Sequence, residues 1–133
     1  MKKSDQYELR NALEHVLFLI NQEEQPFNWD DAPVICEING YRWLLGPEAD
    51  DEMNWADAKD WYESVGGELP PRDILLQCFM KDDIKPLFKT SWYWSSTEFS
   101  ATSTWRQSFF NGIQYGGSKL NHNYVRAVKK VKI

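Results

Sequence analysis

A histidine and two serines in the second half of the chain could in principle form a nucleophile and a base. A histidine that accepts the proton of a serine hydroxyl is the usual way to activate that serine, and here His122 would act with Ser95 or Ser96. Neither serine lies in a Gly-x-Ser-x-Gly nucleophile elbow, and no third group is evident that would orient the imidazole. A histidine in a solvated loop is the better interpretation, so we expect no catalytic residues and no enzyme activity.

Clustered carboxylates could hold a cation through their oxygen atoms. The cluster consists of Glu48, Asp50, Asp51 and Glu52. It lacks the ligand spacing and the central glycine of a calcium-binding loop, so a charged surface loop is the expectation. We therefore predict no metal site.

Cysteine and glycine patterns give no further chemistry. Cys36 and Cys78 are the two cysteines of the chain, too few for a disulfide framework and without metal-ligand spacing. The glycine pairs at 66–67 and 116–117 do not form a phosphate-binding loop. We expect no cofactor.

Recognition is the chemistry that the composition favours. Aromatic residues make up 15% of the 133 residues and include seven tryptophans. Large rings in a small domain either fill its core or form a contact surface. The apolar stripe of the helix predicted to follow Asn54 indicates a core role for two of the aromatic residues, and the usual burial of large rings extends that role to two more. These are Trp55, Trp61, Tyr93 and Trp94.

A hairpin near the carboxyl end could present the remaining aromatic residues. Alternation along a strand puts Arg106, Ser108 and Phe110 on one face of the segment 104–110. A two-residue Asn111-Gly112 turn would then pair Phe110 with Ile113, and Ser108 with Tyr115.

The elements that must position these residues can be assigned from local signals. Residues 7–21 have the apolar spacing of an amphipathic helix, and residues 22–31 are a polar, acidic linker. Asn39-Gly40 predicts a tight hairpin between strands at 33–37 and 41–45. Asn54 can cap a helix that ends before Gly66. Shorter helices are predicted at 74–80 and 82–88, and strands at 92–94, 104–110, 113–117 and 124–131. This order is typical of an α+β domain.

The charge of the chain is unevenly distributed. Residues 1–63 carry 15 acidic and 5 basic side chains, whereas residues 64–133 carry 5 acidic and 10 basic ones. The overall charge of −5 argues against a nucleic-acid-binding protein.

No apolar run is long enough for a membrane span, and the first ten residues lack the apolar core of a secretory signal. We expect a protein that stays in the cytoplasm, with no membrane or nucleic-acid partner.

Five motifs in the second part of the chain resemble a known family. They are Asn54-Trp55-Ala56-Asp57-Ala58, Gly66-Gly67-Glu68-Leu69-Pro70-Pro71-Arg72, Tyr93-Trp94-Ser95-Ser96-Thr97-Glu98, the segment from Trp105 to Phe109 with Asn111-Gly112, and Tyr124-Val125-Arg126-Ala127-Val128. In this order they resemble the bacterial and phage domain family named for the carboxy-terminal domain of a Legionella collagen-like protein. The resemblance covers about residues 36–131.

The resemblance implies a C-type-lectin-like fold, with two main helices packed on a twisted antiparallel sheet. We expect the chain to add an amino-terminal amphipathic helix to this fold, with residues 1–31 as helix and acidic linker and residues 32–133 as the lectin-like domain. The calcium-binding triplets Glu-Pro-Asn and Gln-Pro-Asp of the sugar-binding lectins are absent from the sequence, as are their structural disulfides. The cysteine pair of the formylglycine-generating branch is also missing. The resemblance therefore implies binding without calcium and without catalysis.

The resemblance also orients the second hairpin. Family members have apolar residues at the positions of Trp105, Gln107 and Phe109, which places that face inward and the face of Phe110 outward. An amino-terminal helix or a second copy that simply covers the outward face is an equally weighted alternative. The predicted ligand-binding residues are Glu98, Phe99, Arg106, Phe110, Ile113, Tyr115, Lys119, His122 and Asn123.

The function that we expect is non-catalytic recognition of a protein partner. Since the family is common in phages, the resemblance implies a phage or prophage accessory protein, either a virion component or an inhibitor of a host factor. Two alternatives stay open. One is a lectin-like domain that binds a glycan or small ligand without calcium, and the other is a structural protein that self-associates through its amino-terminal helix.

Overall fold

Two antiparallel sheets of three strands and two helices make up residues 27–133, the part of the chain that the structure, a computed structural model, describes. The helices are α1 (Trp55–Ser64) and α2 (Arg72–Met80). The strands are β1 (Val34–Ile38), β2 (Tyr41–Glu48), β3 (Trp92–Glu98), β4 (Ser103–Ser108), β5 (Gln114–Ser118) and β6 (Arg126–Lys132). Short 3-10 turns occur at Trp29–Asp31 and Lys85–Leu87. The predicted α+β class is confirmed, while the helix predicted at residues 7–21 lies outside the described residues.

The two sheets are joined by the chain segment that enters β6. One sheet has the order β1-β2-β6 and the other β3-β4-β5. The backbone N–H of Tyr124 donates to Trp92 O at 2.9 Å, and Tyr124 O accepts from Trp94 N at 3.0 Å. Tyr124 thereby continues the second sheet beyond β3 just before the chain enters the first.

Local signals set the first hairpin and the first helix as predicted. Asn39 and Gly40 have φ values of 54° and 79°, so both central positions of the turn are left-handed, as a type I′ turn requires. Asn54 Oδ1 accepts from Asp57 N at 2.9 Å and caps α1. Gly66 has φ 72°, and the amides of Gly66 and Gly67 donate to the carbonyls of Glu63 and Tyr62. This is a Schellman motif, and it ends the helix.

The core lies on both faces of β3. Tyr93 belongs to a cluster formed with α2 and the first sheet, including Ile35, Leu45 and Leu75. Its neighbour Trp94 points to the opposite face and belongs to a second cluster with Trp55 of α1. Because successive side chains of a strand point to opposite faces, β3 packs into both clusters. This double burial holds the second sheet in place.

The predicted register of the second hairpin is wrong. Arg106 pairs with Tyr115 and Gln107 with Gln114, so Ser108 faces Ile113, and its N–H donates to Ile113 O at 2.9 Å. The loop therefore has four residues, 109–112, in place of two. Gly112 N donates to Ser108 O at 3.0 Å, and within this loop the positive φ is at Gly112 alone. Phe109, the first residue of the loop, is buried, and its N–H donates to Ser91 O at 2.9 Å, so the start of the loop is held against the segment that leads into β3.

Candidate recognition surface

The tryptophan core provides a rigid scaffold for the second hairpin. Trp55, Tyr93 and Trp94 are buried, as predicted. Trp61 is only partly buried and packs against the second cluster. The indole nitrogens of Trp55 and Trp94 donate to Ser95 O at 3.1 Å and to Met53 O at 2.8 Å. Both rings are thus fixed by packing and by a hydrogen bond.

The loop of the second hairpin is held by two aromatic contacts. The Phe109 ring stacks on Phe88, with centroids 4.1 Å apart and planes at 2°. A methyl group placed on Gly112 would lie 2.5 Å from Cε1 of Phe79, so the backbone of the turn rests directly on that ring. The hairpin loop is therefore anchored at its first and last residues.

A pair of amides, the buried Gln107 and the partly buried Gln114, fixes the strands that lead into this loop. Gln107 and Gln114 face each other across β4 and β5, and Gln114 Nε2 donates to Gln107 Oε1 at 2.7 Å. Gln107 Nε2 donates to Ser108 O at 2.9 Å. Gln114 Oε1 accepts from Nε of Arg72 at 2.8 Å. These bonds tie the hairpin to the start of α2 and satisfy polar groups that would be costly to bury alone.

Large apolar side chains on this anchored hairpin remain in solvent. Phe110 is 77% exposed, Tyr115 60% and Ile113 44%. Ile113 and Tyr115 share a face with Arg106, because residues opposite each other or two apart on a strand point the same way. Phe110 lies in the loop at the end of that face. The expected exposure of these residues is confirmed, although their pairing differs from the prediction.

Trp92 joins this face and was missed by the sequence analysis. Trp92 lies opposite Ser108, and Trp94, two positions further along β3, lies opposite Arg106. Trp92 therefore points to the same face of the sheet as Arg106. The guanidinium carbon of Arg106 is 4.3 Å from the centroid of the Trp92 ring, and the rings of Trp92 and Tyr115 are 6.4 Å apart. We call Trp92, Arg106, Phe110, Ile113 and Tyr115 the hairpin face. The alternation of Trp92, Tyr93 and Trp94 could have identified Trp92 if the register had been known.

Two of the predicted binding residues are paired with each other. Lys119 Nζ lies 3.3 Å from Glu98 Oε2 and donates to Ala101 O at 2.9 Å. The same ammonium lies 4.5 Å from the centroid of the Trp55 ring. Glu98 and Lys119 thus partly neutralise each other at the far end of the sheet.

The remaining predicted residues fall in three different environments. Asn123 is buried, and its backbone pairs with Met53. Phe99 is exposed, but its ring meets the edge of Trp105, which belongs to the opposite face of the sheet from Arg106. His122 is exposed.

Ser95, one of the two serines considered as a nucleophile for His122, is buried. Its hydroxyl donates to Trp105 O at 2.6 Å, so it is engaged away from solvent.

A cluster of charged groups lies where the two sheets meet. Glu48 accepts hydrogen bonds from the hydroxyl of Tyr93 and from the ammonium of Lys89, and Arg126 Nη2 is 3.8 Å from its Oε1. Arg126 also donates to Gly46 O at 2.8 Å and to Leu87 O at 2.5 Å. Burial, followed by the bond to Glu48, raises the pKa of Tyr93, and burial lowers the pKa of Arg126. The buried position of Tyr93 indicates a structural role for this cluster.

Two clefts lie on the surface of the described residues, away from the hairpin face. A cleft of about 430 Å³ lies between the second 3-10 turn and Phe109, and one of about 300 Å³ lies between Trp43 and the start of α2.

Burial raises the pKa of Cys78 to about 12, which disfavours its reactive thiolate. Residues 27–133 bring no three acidic, histidine or cysteine side chains together as metal ligands.

Comparisons with known proteins add no relative. The chain matches no protein-family model and no curated protein. None of the helices in residues 27–133 is long and apolar enough to cross a membrane. The geometry of the hairpin face is therefore the strongest basis for a proposal of function.

Proposed function

We propose that this protein is a non-catalytic binding module that recognises a protein partner through the hairpin face. The observation that carries the proposal is the exposure of Phe110, Ile113 and Tyr115 on a hairpin whose neighbouring residues are locked in the core. Exposed aromatic side chains on a rigid support are typical of the anchors of protein interfaces. Their fixed position also reduces the entropy lost on binding.

The free energy expected from burying Phe110 and Tyr115 against a partner is sufficient for a specific interaction. Burial of a large apolar side chain contributes roughly 1.5–3 kcal/mol. Phe110 and Tyr115 have most of their surface still to bury. Two such anchors could together change the affinity by several orders of magnitude, since about 1.4 kcal/mol corresponds to a factor of ten.

The proposal includes a C-type-lectin-like fold for residues 32–133. Its support is the five-motif resemblance together with an α+β architecture of two helices and antiparallel sheets. On the same basis we propose a phage or prophage accessory protein that acts in the cytoplasm or in a virion, as a virion component or as an inhibitor of a host factor. The resemblance also implies the mode of binding, because proteins of this fold use their long loops and one sheet face to bind ligands, usually proteins or glycans.

A variant with a disrupted hairpin face tests the proposed function. Proteins captured from a bacterial lysate are identified, and each purified candidate is titrated calorimetrically with wild-type protein and with the Phe110→Asp/Tyr115→Ala variant. We expect a loss of at least about 100-fold in affinity, the equivalent of one to two buried anchors. Equal affinities for the wild type and the variant would remove the hairpin face from the interface.

A matched control uses exposed apolar residues on the other side of the sheet. Leu76 and Met80 of α2 are 38% and 66% exposed. Helix α2 packs on the face of Gln107, opposite the hairpin face. Leu76→Asp/Met80→Ala should therefore bind the partner as the wild type does, and an equal loss in this control would indicate a general effect on folding or solubility.

A further inference from the structure

Arg106 differs from the other arginines of the described residues in what it contacts. Arg42 donates to Glu37 at 2.9 Å, Arg72 to Gln114 at 2.8 Å, and Arg126 to Gly46 O at 2.8 Å. Arg106 makes one long contact, from Nη1 to Asn123 Oδ1 at 3.4 Å. No carboxylate among residues 27–133 lies within salt-bridge distance of its guanidinium.

The guanidinium of Arg106 is nevertheless partly buried and well positioned. Trp92 stacks against it, and Gly117 lies beneath it, so close that a methyl group on Gly117 would come within 2.8 Å of Nε. Nε is buried and finds no hydrogen-bond partner among residues 27–133, and the same holds for Nδ2 of the neighbouring Asn123. Placing a charge in such a position is unfavourable unless an opposite charge and further hydrogen bonds compensate for the lost hydration.

The charge of the surrounding sequence indicates that a group able to pair with the Arg106 guanidinium must be an acidic group from outside this part of the chain. Residues 99–133 contain no aspartate or glutamate, but they contain six lysine and arginine residues. A planar guanidinium held on an aromatic ring is suited to paired hydrogen bonds with a carboxylate. A protein partner that covers the hairpin face would have to meet this cation.

We propose that Arg106 receives an aspartate or glutamate side chain of the protein partner. This inference rests on the proposed function and specifies the chemistry of its interface. Tyr115 lies opposite Arg106 on β5, and Ile113, two residues earlier and just before the strand, points to the same face. The partner therefore presents an apolar or aromatic residue next to the carboxylate, so that one fills the exposed apolar surface while the other pairs with the guanidinium.

Selection from a displayed random peptide library tests this chemistry with defined probes. Full-length wild-type protein should enrich peptides in which aspartate or glutamate lies beside an aromatic or aliphatic residue. Arg106→Glu should instead enrich peptides with lysine or arginine at that position. Arg42→Glu is the matched control, because Arg42 is an exposed arginine of the other sheet, and it should retain the acidic preference.

The outcomes separate this inference from the proposed function. Enriched peptides that need Phe110 but show no acidic preference, or an unchanged preference in Arg106→Glu, would overturn the Arg106 assignment alone. If no peptide is enriched, or if binding is indifferent to Phe110→Asp, the proposed function fails and the inference fails with it.

A measurement without peptides examines the guanidinium directly. The Nε–H resonance of Arg106, assigned by its loss in Arg106→Lys, should shift in a saturable way when sodium acetate is added to the full-length protein at constant ionic strength. The resonances of Arg42 and Arg72 should move little, since their Nε–H groups already have partners. A response of Arg106 no larger than theirs would contradict a carboxylate site.

Discussion

At the residue scale, neighbouring phenylalanines have opposite roles. Phe109 fills the core against Phe88 and Tyr93, whereas Phe110 is the most exposed residue of the hairpin face. Alternation predicted that the two rings point to opposite faces, and the family resemblance assigned Phe109 to the inner face. The contacts of Arg106 could not be predicted in the same way, since they depend on Trp92 from another strand and on the absence of a side chain at Gly117.

Tyr93 makes a residue-level prediction about pH. Its raised pKa results first from burial and then from its hydrogen bond to Glu48. A tyrosine whose pKa is higher in the folded state stabilises the fold fully below the unfolded pKa near 10, and this contribution is lost as the pH rises beyond that value. At neutral pH, Tyr93→Phe should lower the free energy of unfolding by about 1.5–3 kcal/mol, because Glu48 loses a donor.

Urea denaturation between pH 7 and 11 measures this effect. The difference between the wild type and Tyr93→Phe should be constant to about pH 10 and shrink above it. Tyr115→Phe provides the control, because the Tyr115 side chain is largely exposed. A difference that is independent of pH up to 11 would show that Tyr93 ionises as readily in the folded protein as in the unfolded one.

At the scale of elements, the sequence was informative wherever the signal was local. Helix α1 begins and ends as predicted because its capping groups, Asn54 and Gly66, lie within its own turns. The two Asn-Gly pairs show where this reasoning fails. Asn39-Gly40 forms the expected type I′ turn, whereas at Asn111-Gly112 the asparagine is not left-handed. Contacts with Phe79 and Phe88, remote in the sequence, decide the second loop.

The two turns therefore differ in their tolerance of alanine. Gly112→Ala introduces a methyl group 2.5 Å from Phe79 at a φ of 81°, while Gly40→Ala, at a φ of 79°, meets no atom of residues 27–133 within 4 Å. The left-handed conformation costs about 1–2 kcal/mol in both variants. Overpacking adds about 1–3 kcal/mol in Gly112→Ala alone. Urea denaturation of both variants should show this excess, and equal losses of stability would contradict a turn that rests on Phe79.

At the scale of the whole molecule, the uneven charge has a structural consequence. The acidic part of the sequence supplies Glu48, which binds Lys89 and Arg126 of the basic part at the junction of the sheets. The composition alone did not predict these ion pairs, because the specific partners depend on the fold. The basic charge of the hairpin face stays without a matching carboxylate among the described residues, which favours an acidic partner.

Self-association is the whole-molecule alternative to a separate partner, and the mass of the full chain in solution distinguishes the two. If the hairpin face serves a different protein, wild type and Phe110→Asp/Tyr115→Ala should have the same molar mass by light scattering across a range of concentrations. Loss of the exposed rings removes no contact between copies in that case.

If the wild type is a dimer and the variant a monomer, the hairpin face is the contact between two copies, because a large apolar surface that is buried in a dimer becomes unfavourable to bury once it carries a charge. A wild type and variant that are both dimers would place self-association elsewhere, and the hairpin face would remain free for another protein.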